Sequence, residues 1–233
     1  GTAGNGITDN DTLTVATVDR VIVRNNNDAT NGNVTSAWML VPFPGTDGIS
    51  LREAITATQV GGSANNNPVP EIIVFNTATF PAVSQVPITP GSELPALTDP
   101  AGTTIDAFTA PYLAGVLLDG SGLSATTNGL LLSSNNNIVR NLAFGNFGFG
   151  VTISVATSTS NEVSKNLINN ARTKGISING GTSHTIKENT VAASNGVGID
   201  ITGSPTSLTI RDNIVSSSGG AGIQLGSSSP ASN

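Results

Sequence analysis

The residues best equipped for chemistry recur at one position: Arg140, Lys165, Glu188 and Asp212, spaced 25, 23 and 24 residues apart. Beside them run Val139, Ser164, Lys187 and Arg211. Stacked one repeat above the next, Lys165 would face Glu188, while Lys187 and Arg211 would stand next to Glu188 and Asp212. A basic catalyst among acidic metal ligands is the kit of a polysaccharide lyase. The simpler expectation is a solvated corner of mixed charge, in which each exposed pair contributes little.

A second row, Leu131, Thr152, Ser177, Asp200 and Gln224, follows the repeat glycines and is expected to face outward. It holds one carboxylate, whereas acid–base glycoside hydrolysis needs two at a defined separation. His184 is the one histidine. In a turn before a strand it reads as exposed, and alone it builds no histidine cluster for a transition metal. Asp9-Asn10-Asp11 has the acidic start of a calcium loop without its Gly or distal Glu. Calcium is therefore a weak candidate there, and no other cofactor is implied. Walker loops and dinucleotide fingerprints are absent. No catalytic residue is assigned.

The element that must position these side chains is a repeat. Gly129, Gly150, Gly175, Gly198 and Gly222 are separated by 21, 25, 23 and 24 residues. Asn141, Asn166, Asn189 and Asn213 keep step with them. Three residues before each Asn stands a β-branched residue (Ile138, Val163, Ile186, Ile210), and two after stands a small or apolar one (Ala143, Ile168, Val191, Val215). Apolar residues two apart, such as Ile176 and Ile178 or Ile199 and Ile201, give the period of a strand with one buried face. Three short strands in about 23 residues fit one coil of a parallel β-helix, an all-β solenoid whose coils stack into a continuous core. Residues one coil apart then lie about 4.8 Å from each other. The four Asn residues are expected to form a ladder at one bend, their amides bonding to each other and to the turn backbone.

Composition sets the outer bounds. The 233 residues carry a net charge of −6, and only 10% are charged. Nine scattered basic residues in an acidic chain exclude the clustered basic face that nucleic acid needs. Cysteine is absent, so there is neither a disulfide framework nor thiolate chemistry. No apolar run approaches the roughly 20 residues that span a bilayer. The chain opens at Gly1 without a signal peptide, as a processed chain or an excised piece would.

Upstream of the repeats, residues 1–45 read as a polar leader followed by strands, with Leu13, Val15, Val21 and Val23 as the apolar positions. Trp38 to Pro44 forms a hydrophobic patch, expected to cover the end of a core rather than to stack on a sugar. One helix is legible within residues 46–62. Ser50-Leu51-Arg52-Glu53 is a capping box, in which Ser50 takes an orphan N–H and Glu53 reaches back to the Ser50 N–H. Leu51, Ala54 and Ile55 make its buried stripe, Gly61-Gly62 ends it, and its expected task is to cover the lower end of the solenoid. Residues 63–233 are assigned to the β-helix, with regular coils from residue 115.

Gly48-Ile49-Ser50-Leu51-Arg52-Glu53-Ala54-Ile55 resembles the C-S-L-R-E-A-I signature of the CSLREA domain. The similarity continues through Ile72 to Phe75, Ile88, Leu94 to Thr98 and Thr104-Ile105-Asp106. Ile49 replaces the family's Cys, and Ala107 its usual Gly. The resemblance implies a right-handed parallel β-helix in a bacterial secreted or surface protein, with no single activity attached.

Two functions are expected on these grounds. The first is an extracellular structural β-helix, acting as a surface stalk, an adhesin or a self-assembling filament subunit. The alternative is a carbohydrate-active β-helix enzyme or a module that binds a cell-surface glycan. After Gly222-Ile223-Gln224-Leu225 the sequence offers no apolar period for an upper cap. Three explanations are open: the chain is a fragment of a longer protein, its last segment is disordered, or a partner chain completes the coil head to tail, with Leu13, Val15, Val21 and Val23 of a second copy as the completing strand.

Overall fold

The computed structural model describes residues 20–59, 70–108, 115–154 and 156–226. The described chain enters with β1 (Arg20–Val23), followed by α1 (Ala37–Leu40) and α2 (Leu51–Gln59). Irregular coils follow, with β2 (Glu71–Phe75), β3 (Val86–Ile88), β4 (Thr103–Asp106) and β5 (Val116–Asp119). Regular coils then carry three strands each. The first two contain β6 (Asn128–Leu132), β7 (Ile138–Arg140), β8 (Ala143–Gly145), β9 (Phe149–Ile153), β10 (Glu162–Ser164) and β11 (Leu167–Asn169). The next two contain β12 (Lys174–Asn179), β13 (Thr185–Lys187), β14 (Thr190–Ala192), β15 (Val197–Thr202), β16 (Thr209–Arg211) and β17 (Ile214–Ser216), and β18 (Ile223–Leu225) opens another.

These strands form three parallel sheets that run along the solenoid. The first is ordered β1-β2-β4-β7-β10-β13-β16, the second β3-β5-β8-β11-β14-β17 and the third β6-β9-β12-β15-β18. Like sits on like: Val139, Val163, Ile186 and Ile210 stack in the first sheet, and Val151, Ile176, Ile199 and Ile223 in the third. The chain is a parallel β-helix.

The repeat glycines are there because the coils close tightly on each other. A Cβ placed on Gly129, Gly150, Gly175 or Gly198 would lie 2.5–2.6 Å from the carbonyl oxygen of the next glycine in the column. Any side chain there would push two coils apart.

Three tight turns per coil set the rest of the pattern. Each turns on one left-handed residue: Asn136, Asn141 and Asn146 in one coil, then Ser160, Lys165 and Asn170, then Ser183, Glu188 and Ala193, then Ser207, Asp212 and Ser217. The residue after each left-handed position enters an interior column. This corrects the expected Asn ladder by one place. Asn141, with φ 62°, is a turn residue stacked under Lys165, and its Nδ2 donates to Asp106 Oδ1 at 2.7 Å. The ladder position in that coil belongs to Leu142, whose N–H donates to Asn166 Oδ1 at 3.1 Å. Asn166 donates from N–H and Nδ2 to Asn189 Oδ1, and Asn189 does the same to Asn213 Oδ1. Each Nδ2 also reaches back to a carbonyl of the coil before: Val139 for Asn166, Val163 for Asn189 and Ile186 for Asn213.

A second ladder runs at the turn before the first sheet. Asn137 Oδ1 accepts the Thr103 N–H, and Asn137 donates from N–H and Nδ2 to Asn161 Oδ1. The next rung is His184. Contrary to the sequence expectation it is fully buried, and its Nδ1 accepts the Asn161 N–H at 3.2 Å. That bond requires an unprotonated Nδ1, so the imidazole is held neutral with its proton on Nε2. Burial pushes the His184 pKa below its ordinary 6.5, and a hydrogen bond to the Gly180 backbone only partly opposes this.

At the lower end α2 packs on β1 and β2. The capping box forms as two reciprocal bonds, Ser50 N–H to Glu53 Oε2 at 2.9 Å and Glu53 N–H to Ser50 Oγ at 3.2 Å. Its neighbours are used as well. Glu53 Oε1 accepts the N–H groups of Asn31 and Gly32, and Ser50 Oγ donates to the Ala29 carbonyl. Arg52 grips Asp28 through two bonds of 2.9 Å. Leu51 and Ile55 are fully buried.

Two further expectations need correction. The Trp38 patch contains a second short helix, α1, which Ser36 caps by accepting the Met39 N–H. Leu40 is buried there, but Trp38 and Phe43 remain 51% and 58% exposed, so only part of the patch covers core. Val21 and Val23 are buried in β1 as the first rung of the chain's own first sheet, so their side chains are not free to complete another copy. Leu13, Val15, Asp9 to Asp11 and Gly61-Gly62 lie outside the described residues.

The ladders lead to two expected outcomes. Asn189→Ala strands donors and acceptors on three coils and should lower stability by about 1–3 kcal/mol or more. Asn195→Ala, at an exposed turn, should leave it within about 0.5 kcal/mol. Urea midpoints followed by two probes compare them, and equal midpoints would remove the ladder from the account. For His184, the unfolded chain takes up a proton more readily than the folded one. Its contribution is therefore complete above pH 6.5 and is lost as pH falls through the depressed folded value. A His184→Asn variant should show a flatter decline in melting temperature below pH 6.5 than the parent.

Candidate functional site

The corner between the first and second sheets gathers the charged side chains. Register puts Asp106, Arg140, Ser164, Lys187 and Arg211 in one column at the strand ends. The left-handed residues Asn141, Lys165, Glu188 and Asp212 form the column beside it. Two residues earlier on the same outer face, Glu162 stacks on Ile138 and under Thr185. The first-sheet column thus differs from the sequence expectation in one coil, where Arg140 rather than Val139 pairs with Ser164.

Between these columns lies a cleft of about 420 Å³, with Phe108 at its margin. Its charges are paired across coils. Asp106 Oδ2 accepts Arg140 Nε at 2.9 Å, and Lys187 Nζ donates to Glu162 Oε2 at 2.9 Å. Ser164 Oγ holds the other Glu162 oxygen at 2.7 Å. Lys165 faces Glu188 at 3.7 Å, and Arg211 reaches Glu188 at 4.0 Å and also pairs with Asp212. Burial pushes the Glu162 carboxyl upward. The bonds from Ser164 and Lys187, with the positive charges of Lys187 and Arg140, outweigh it and hold the carboxyl below its ordinary 4.5. Glu162 is therefore ionised at neutral pH, the wrong state for a general acid, whose pKa must be raised.

The third-sheet row stacks as the sequence predicts, with Leu131, Thr152, Ser177, Asp200 and Gln224 in register. Asp200, however, does not face solvent. It is 1% exposed and bonded to Lys174 Nζ at 2.5 Å. The Lys174 ammonium also lies 5.9 Å from the Phe149 ring centre. Among the described residues, no group of three or more His, Asp or Glu is arranged to hold a metal ion, and no helix is long and apolar enough to cross a membrane.

Sequence reasoning missed Asp106, Phe108 and Glu162. Asp106 lies 34 residues before Arg140, across an irregular coil without a readable period, so no spacing pointed to it. A usable signal for the register was present in Asn136, Asn141 and Asn146, five apart, which marks all three as turn residues.

The solenoid and its paired corner define the class, a parallel β-helix with a polar, charge-balanced edge. Residues 111–233 match the family model described as right handed beta helix region, and the chain belongs to that family. Comparisons with curated proteins and with solved structures returned no match.

The corner yields one electrostatic expectation. The Glu162 carboxyl carbon should titrate by NMR with a midpoint below 4.5, and Lys187→Met should move it upward. Its contribution to stability is then present above pH 4.5 and declines as pH falls through the lower folded value. A midpoint above 4.5 in the parent protein would contradict the pairing.

Proposed function

We propose that the chain is an extracellular structural β-helix, a rod that works at a cell surface as a stalk or adhesin and associates head to tail. The observation that carries this reading is the solenoid itself, three parallel sheets stacked rung on rung along one axis. Ile223 and Leu225 stack above buried Ile199 and Ile201 yet are 47% and 74% exposed. At the other end the helical cap presents Trp38, Val41 and Phe43 to solvent. Such apolar rungs are contact surfaces for a further coil, and a second copy of the chain can supply one. A heterologous contact of this kind propagates into a filament unless its rotation closes a ring. The surface location draws on the resemblance of Gly48 to Ile55 to a domain of secreted and surface proteins, and on a polar surface built from Asn, Ser, Thr and Gly.

A carbohydrate-binding role is a second reading, favoured by one observation: Phe108, 66% exposed, stands beside the corner cleft. The ionised, paired Glu162 favours binding over hydrolysis.

Sedimentation velocity over a wide concentration range, with electron microscopy of the same samples, tests the assembly. The full chain should form end-to-end multimers. Ile223→Asp with Leu225→Asp should abolish them, while circular dichroism of the double variant should show that the coils beneath stay folded. A parent protein that stays monomeric at high concentration, or a double variant that assembles like it, would refute head-to-tail association.

A further inference from the structure

We propose that the corner cleft binds a neutral, extended glycan laid along the solenoid axis, with Phe108 as its stacking platform. This rests on the carbohydrate-binding reading above and gives it a site and a ligand class. The charge balance decides the class. Arg140, Lys165 and Lys187 are matched by Asp106, Glu162 and Glu188, so the cleft is neutral overall. Two of the cations are already held within 2.9 Å of a carboxylate. A uronic-acid chain would have to break these pairs and set its own carboxylates against Asp106 and Glu162. Sugar hydroxyls both donate and accept, so they suit a cleft lined by donors (Arg140, Lys165, Lys187) and acceptors (Asp106, Glu162, Glu188) together.

The geometry of the rungs fits the same ligand. Coils repeat about every 4.8 Å, close to the advance of one pyranose unit in an extended chain. Successive sugars would therefore meet successive rungs: Asp106, then Arg140, then Glu162 with Ser164, then Lys187 with Glu188. Phe108 offers an apolar face at one end, which complements the C–H face of a sugar ring. Its backbone is fixed by the bond from its N–H to Asp106 Oδ1 at 3.0 Å.

Isothermal titration calorimetry of the full chain with cellohexaose, xylohexaose, mannohexaose and a hexagalacturonate, at low and high salt, tests this. At least one neutral hexasaccharide should bind with little dependence on salt. Phe108→Ala should weaken it about tenfold, the loss of one aromatic contact, with an unchanged melting temperature. Binding of the hexagalacturonate alone, falling with salt, would leave a carbohydrate role standing but overturn the neutral class. Neutral binding that Phe108→Ala does not change would place the site elsewhere. If none of the four binds, the carbohydrate reading fails with the proposal.

Discussion

The structure depends on one constraint: every residue in the regular coils has its counterpart about 4.8 Å away along the axis and must tolerate it. Backbone hydrogen bonds between coils fix that distance, and the side chains follow. Where the coils approach most closely only glycine fits, because a Cβ on Gly150 would sit 2.5 Å from the Gly175 carbonyl oxygen. Where the chain bends, the interior column must supply acceptors for N–H groups that no strand satisfies. Asn does this well, since its Oδ1 accepts from the previous coil while its Nδ2 donates to a carbonyl there. Buried amides that would be costly alone become consistent in a stack.

The same spacing shapes the outer surface. Two like charges one coil apart repel at short range, and the corner offsets this with cross-coil partners: Asp106 takes Arg140, Glu162 is drawn in to neutralise Lys187, and Arg211, stacked on Lys187, reaches Glu188 and Asp212. The result is a column in which the carboxylates are already partnered. Such a surface gives a rigid, hydrated edge that can meet hydroxyl groups. It is poorly suited to donating a proton.

The architecture was largely legible because a solenoid writes its contacts into the sequence at a fixed period. Ile176 and Ile178 announced a strand, and Ser50 with Glu53 announced the cap that forms. The errors came where two patterns overlapped. Asn141 has the residue type of the ladder but the position of a turn, and a 25-residue spacing among 23 and 24 was the trace of that slip. His184 was misread because a lone histidine carries no pattern of its own. Only the stack shows that it replaces Asn137 and Asn161 as the next acceptor. The corner was half legible. Its charges in the regular coils were visible, but Asp106 and Phe108 come from irregular coils, where burial of Ile105 and Ala107 rather than any repeat fixes their direction.

The central claim is that a side chain in one coil completes the backbone hydrogen bonding of the coil before it. Native-state amide hydrogen exchange at Leu142 tests this most directly, because its N–H donates to Asn166 Oδ1. Replacing Asn166 by Ala should accelerate exchange at Leu142 well beyond any change at Leu118, a buried core residue in an adjoining coil. Unchanged protection at Leu142, or equal acceleration at both residues, would contradict it.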